Sequence, residues 1–174
     1  MMELTTETMT ATHTAIDSPL GELTIVAEHS HLTGLYFLHH WYMPARETLG
    51  TYTGAGFEEV QQQLGDYFAG RRQVFDLPLD PHGDELQHRV WNLVRQVPYG
   101  QTSTYGDLAR ELGDGTSAQA VGAAVGRNPL SVVVPCHRIV GSNGKLTGYA
   151  GGLRRKRALL DLEEATLGMS PRLF

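Results

Sequence analysis

The sequence predicts an α+β fold in two lobes: a small antiparallel sheet with a helix against it, followed by a helical lobe that carries a helix-turn-helix. Three observations predict it. Short strand-like runs alternate with turn signals over residues 13–38. Beyond residue 84 the apolar spacing changes to a helical period. Between the two, Leu79-Asp-Pro-His-Gly83 reads as a linker. The expected boundaries are a flexible leader at 1–12, a first lobe at 13–80, a second at 84–165 and a tail at 166–174.

The strand runs are His13–Ile16, Gly21–Glu28 and Leu32–Leu38, separated by Asp17-Ser-Pro-Leu-Gly21 and His29-Ser-His31, as in a meander. Phe57, Val60, Leu64, Tyr67 and Phe68 then recur at helical spacing until Gly70 stops them. Val74–Leu77 reads as a short edge strand. Leu86, Val90, Trp91, Leu93 and Val94 give an amphipathic helix ended by Pro98-Tyr-Gly100. Thr104-Tyr-Gly-Asp107 opens a second helix with capping-box spacing, and Gly113-Asp-Gly115 makes a tight turn. Thr116-Ser-Ala-Gln119 reads as another capping box opening a third helix, which ends near Gly126. Two short helices about a glycine turn form a helix-turn-helix candidate. The third helix is nearly bald (Ala118, Ala120, Gly122, Ala123, Ala124, Gly126). Such a helix fits a narrow groove where an ordinary one, about 10–12 Å across, does not. It also suits tight packing against neighbours, and the sequence leaves both readings open.

Of 174 residues, 41% are apolar and 19% charged, which excludes a disordered or fibrous chain. No apolar run approaches the roughly 18 residues of a membrane span, and the acidic, polar Met1–Thr10 does not read as a secretory signal. A single cysteine, Cys136, excludes a disulfide framework and a multi-thiolate zinc site. A cytoplasmic protein without a membrane partner is the expectation. The net charge of −5 is unevenly placed: residues 1–100 hold 5 Lys+Arg against 13 Asp+Glu, residues 101–160 hold 8 against 3. That asymmetry suits a polyanion partner, or else the run Arg154–Arg157 is simply a solvated helix face.

The chemistry concentrates at Ser131-Val-Val-Val-Pro-Cys-His-Arg-Ile-Val140. A buried β-run, Val132–Val134, ends in Pro135 and presents Cys136 beside His137 and Arg138. A lone cysteine is more often a small core residue. Here an imidazole and a guanidinium adjoin it, and nearby positive charge favours thiolate.

Pro135-Cys-His-Arg138 with Ile139-Val140 resembles the active-site signature of the O6-alkylguanine-DNA alkyltransferases (methylated-DNA–protein-cysteine methyltransferases). Asn128-Pro129, Gly148-Tyr-Ala-Gly-Gly152 and Leu159-Leu-Asp-Leu-Glu163 match the family in order and spacing, as do Gln87-His-Arg-Val-Trp91, Pro98-Tyr-Gly100 and Tyr105-Gly-Asp-Leu-Ala109. The resemblance spans roughly residues 14–165. It implies a ribonuclease-H-like first lobe and a single-turnover transfer of an alkyl group from the O6 of guanine to Cys136. The base would be flipped out of the duplex, with no cofactor. In the implied relay Glu163 holds His137, which takes the thiol proton through a water. Tyr105 donates to the purine ring and crowds the phosphate, and Asn128 ties the third helix to the active-site loop. Tyr149 with backbone groups of Cys136, Ile139 and Ala150 would form the pocket wall. Thr104, Gln119, Ala120, Gly122, Arg127 and Arg138 would face the minor groove of double-stranded DNA. The implied protein is a monomer with scope for cooperative binding along DNA.

Gln119 is a departure, standing where the family commonly carries an arginine that fills the space left by the flipped base. A glutamine there brings no charge, and the Thr116 capping box competes for it. The histidines His13, His29, His31, His39, His40, His82 and His88 have no cysteine partner, so they read as surface residues without a metal role and no metal site is expected. Two other functions compete: a cysteine hydrolase built on Cys136, His137 and Glu163, and a non-catalytic lesion sensor or helix-turn-helix regulator. The first lacks a hydrolase signature, and the second has no use for the retained Cys136.

Overall fold

The computed structural model describes residues 11–169. Residues 1–10 of the expected leader and 170–174 of the expected tail lie outside them. Thr12, at the end of the expected leader, is already in a strand. Strands β1 (Thr12–Ile16), β2 (Leu23–Glu28) and β3 (His31–Phe37) form an antiparallel meander. His29 and Ser30, both at positive φ, make the two-residue turn that pairs Glu28 with His31. Alternation puts Leu23, Ile25, Leu35 and Phe37 on the buried face. A short strand without sequence signal, β4 (Thr51–Tyr52), adds in parallel to β1, giving the order β3-β2-β1-β4. Gly50 permits it: a Cβ there would fall 1.8 Å from the Ala11 carbonyl oxygen.

Helix α1 (Glu58–Phe68) buries Val60, Leu64 and Tyr67. The expected edge strand at Val74–Leu77 does not form. Gln63 of α1 takes the place of a neighbouring strand, its Oε1 accepting from Asp76 N at 2.9 Å and its Nε2 donating to Asp76 O at 2.9 Å. Val74 itself is 75% exposed. Leu79 makes a lone bridge to Leu32.

Helix α2 (Glu85–Arg95) opens on a reciprocal capping box between Asp84 and Gln87. Strand β5 (Ser103–Thr104) leads into α3 (Tyr105–Leu112), capped by Thr104 Oγ1 and closed by Gly113 in the left-handed conformation. Helix α4 (Ala118–Gly126) is capped by Ser117, not Thr116. Asp114 captures both the Thr116 amide and its hydroxyl, which delays the helix start by one residue. The Trp91 indole N–H donates to Ala124 O at 2.9 Å and locks α2 to α4. A 3-10 turn at Cys136–Arg138 runs into β6 (Ile139–Val140), which pairs in parallel with β5, and α5 (Leu153–Thr166) closes the fold. One continuous apolar core joins the sheet (Leu23, Phe37) and α1 (Leu64, Tyr67) to Val90, Val121 and Leu159.

A candidate active site around Cys136

The stretch before the cysteine is not the expected β-run. Residues 131–134 form turns, with Val134 N bonded to Leu130 O and Cys136 N to Val134 O. Val132, a β-branched residue, sits at φ +71°, a strained conformation of the kind held only where the surroundings over-determine it. Asn128 does much of that holding. Its Nδ2 donates to Val134 O at 3.1 Å and its Oδ1 accepts from Leu130 N at 2.9 Å, so one buried amide ties the end of α4 to the loop.

Cys136 is only 3% exposed, yet it borders a cavity of about 230 Å³ lined also by Tyr105, Gly122, Asn128, Tyr149 and Trp41. Burial pushes its thiol up to about 12, against opposing pulls from Asn128 and the Lys156 ammonium. The thiol is therefore protonated at rest and needs a base. Ala150 borders the same cavity. Ile139 does not: it is fully buried, and its carbonyl accepts from Lys156 Nζ.

The base stands next in sequence. His137 Nε2 lies 2.7 Å from Glu163 Oε2, with both side chains fully buried. A carboxylate only accepts, so Nε2 carries the hydrogen and Nδ1 is the basic nitrogen of the neutral ring. Nδ1 is buried and makes no hydrogen bond to another described residue. Burial holds the imidazole below its usual 6.5, despite the charge of Glu163. Glu163 also accepts from Tyr67 Oη at 2.6 Å, from Gly100 N at 3.1 Å, and from Arg138 through Nε at 2.8 Å and Nη2 at 3.0 Å. Burial alone raises a carboxyl, but the His137 and Arg138 interactions outweigh it and hold Glu163 well below the usual carboxylate range. Arg138, expected at the DNA surface, is thus buried. Its other contact is Val97 O at 2.8 Å, and a guanidinium spent on an internal carboxylate has no reach to a phosphate.

Tyr105, at the start of α3, accepts from Thr147 Oγ1 at 3.1 Å, which leaves its own hydroxyl hydrogen to donate. Burial raises its pKa and keeps that hydrogen in place. On α4, Val121 and Ala124 pack inward, and Gly122, Val125 and Gly126 line the cavity. Gln119 is exposed on the first turn, Ala120 is half-buried, and exposed Arg127 stacks its guanidinium 3.7 Å from the centre of the Tyr42 ring. Thr104 spends its hydroxyl oxygen on the α3 cap.

The run Arg154–Arg157 is not a uniformly solvated face. Lys156 is fully buried, its ammonium donating to the carbonyls of Ile139, Thr147 and Gly148, and burial lowers it to about 8. Arg155 donates to Leu20 O, Leu38 O and Gly151 O. Sequence reasoning missed both, as it missed Tyr67. A basic run gives no sign of which member points inward, although an i to i+7 step links Lys156 to Glu163 on one helix face. His40, read as a surface residue, is buried between Trp41 O and Ser131 Oγ, at 2.7 Å from each. Among the described residues no group of three or more His, Cys, Asp or Glu is placed to hold a metal, and no helix is long and apolar enough to cross a membrane.

Comparison with known proteins adds lineage to this geometry. Residues 12–81 match the ribonuclease-like domain of 6-O-methylguanine DNA methyltransferase, and residues 85–165 match its DNA-binding domain. The methylated-DNA–protein-cysteine methyltransferase of Mycobacterium bovis is 46% identical over 159 residues, covering 91% of this chain and 96% of its own. That of Mycobacterium leprae is 43% identical over 160 residues, covering 92% and 96%. A crystal structure of Mycobacterium tuberculosis OGT in complex with DNA superposes with a TM-score of 0.85 at 45% identity, covering 92% of this chain and 95% of that one. With a buried Cys–His–Glu array set against a helix-turn-helix and these matches along both halves, the chain belongs to the 6-O-methylguanine DNA methyltransferase family.

Proposed function

We propose that this chain repairs DNA by direct reversal, moving the alkyl group of an O6-alkylguanine in duplex DNA onto Cys136: it is a methylated-DNA–protein-cysteine methyltransferase. The observation that carries the reading is the buried His137–Glu163 pair standing beside the lone thiol, at a cavity bordered by the helix-turn-helix. His137 Nδ1 accepts the thiol proton through a bridging water, and Glu163 stabilises the imidazolium that results. The sulfur attacks the alkyl carbon, the carbon–oxygen bond breaks with its electrons going to the purine, and a thioether forms. Tyr105 donates to the purine ring as its charge develops. The thioether has no easy leaving group, so each molecule acts once.

The guanine reaches the sulfur only by leaving the stack, which costs a few kcal/mol and less for a weakly paired lesion. Gly122 on α4 lines the cavity, and in this reading its missing side chain leaves room for the base to enter from the groove. Gln119, Ala120, Arg127 and the Thr104 end of α3 form the minor-groove face in this reading, and the protein binds as a monomer. A cytoplasmic setting belongs to the same reading, supported by a thiol that must stay reduced to act. The test is mass spectrometry after incubation with a duplex carrying O6-methylguanine. A permanent gain of one CH₂ on the Cys136 peptide, absent in Cys136→Ser, is expected. Lesion removal by Cys136→Ser overturns the assignment.

A further inference from the structure

The cavity has a wall that its helical half does not supply. The loop after β3 brings Trp41 to the rim, where the indole is 54% exposed and packs over Gly148, which stands 3.4 Å from it by its would-be Cβ. The loop is riveted in place around the thiol. Trp41 N donates to Ala150 O at 2.8 Å, and His40 bridges Trp41 O to Ser131 Oγ at 2.7 Å each. Arg127 stacks on Tyr42, and Arg155 donates to Leu38 O at 2.9 Å. His39 and Tyr42 are held at positive φ on either side, a strain that persists where the surrounding contacts demand it. Ser131, Tyr149 and Ala150, which anchor or adjoin the loop, line the same cavity. An aromatic ring that keeps half its surface in water at the edge of an apolar cavity is a contact surface in waiting.

We infer that Trp41 is a specificity-determining residue, an aromatic wall contributed by the amino-terminal sheet that contacts the O6 substituent of the extruded base and favours bulky apolar adducts over methyl. The inference rests on the proposed transfer to Cys136. A methyl group is too small to gain much from the indole, whereas a benzyl ring can pack edge or face against it.

The experiment compares single-turnover transfer by the full-length wild type, Trp41→Ala and Trp41→Phe on duplexes bearing O6-methylguanine or O6-benzylguanine. The wild type must alkylate Cys136 from the methyl duplex, which tests the function itself. Trp41→Ala should then lower the benzyl-to-methyl ratio of rate constants roughly three- to tenfold, with Trp41→Phe restoring most of it. An unchanged ratio, including one in which both rates fall equally, or a ratio that rises because the indole excludes large groups, overturns the inference while leaving alkyl transfer intact.

Discussion

Replacing Glu163 by glutamine probes the buried array at its centre. The carboxylate accepts from Tyr67, Gly100, His137 and both Nε and Nη2 of Arg138, with its side chain fully buried. Glutamine offers one acceptor oxygen and turns an amide NH₂ toward donors, so several lose their partner and the Arg138 guanidinium stays buried uncompensated. Breaking a buried pair from one side costs about 3–5 kcal/mol. For a chain of this size that lowers Tm by about 6–20 °C. The transfer rate should fall by between about 10² and 10⁴, because His137 loses the group that sets its tautomer and stabilises its cation. The pH dependence has a definite sign. Glu163 is depressed in the folded state, so its stabilisation is whole above the ordinary carboxylate value of about 4.3 and drains away as pH falls through the folded value. The acid-side decline of Tm should accordingly be shallower in Glu163→Gln. Calorimetry from pH 3 to 8 with quenched-flow transfer assays measures both effects. A variant that melts within about 2 °C of wild type and transfers within about threefold of its rate would refute the reasoning.

Four further outcomes are expected. Cys136 is raised to about 12 by burial, so iodoacetamide at pH 8 should label the native protein at least about 100-fold more slowly than the unfolded chain. The transfer rate should show no rise near the free-thiol value of about 8.5, and its acid limb should lie below pH 6.5, following His137. Gln119→Arg adds a cation on the exposed first turn of α4; fluorescence anisotropy should show tighter duplex binding, with log K falling more steeply against log salt by about one unit. Lys156→Met strips the carbonyls of Ile139, Thr147 and Gly148 of their donor. It should cost about 1–3 kcal/mol in denaturant titrations and speed hydrogen exchange across residues 139–150.

The parts of this fold legible in the sequence are those governed by local chemistry. Alternating apolar residues marked β2 and β3, Thr104 to Asp107 and the turn at Gly113 bounded α3, and Cys136 stood out because it is alone. What escaped depends on partners far along the chain. Val74–Leu77 has strand composition, but the Gln63 amide occupies the hydrogen bonds a neighbouring strand would make. Val132–Val134 is a run of three β-branched residues, yet Asn128 and Pro135 bend it into turns. Thr116 and Ser117 are equally good caps by type, and Asp114 decides between them by capturing the threonine. In the site, Arg138 and Lys156 carry charges that composition assigns to a surface, and only the carboxylate or carbonyls awaiting them draw them inside. Trp41 and His40 belong to a loop with no periodicity at all.

The carboxylate at position 163 gathers groups from α1, the turn after α2, the 3-10 turn at the cysteine, and α5. Along the chain the nucleophile precedes Glu163, the last piece of its relay, by 27 residues, so a partly folded molecule holds the thiol without a working base. Until α5 docks, the thiol is an ordinary one that lacks the base the proposed transfer needs. That dependence reserves transfer from an extruded guanine for the folded molecule, while burial shields the same sulfur from small alkylating reagents.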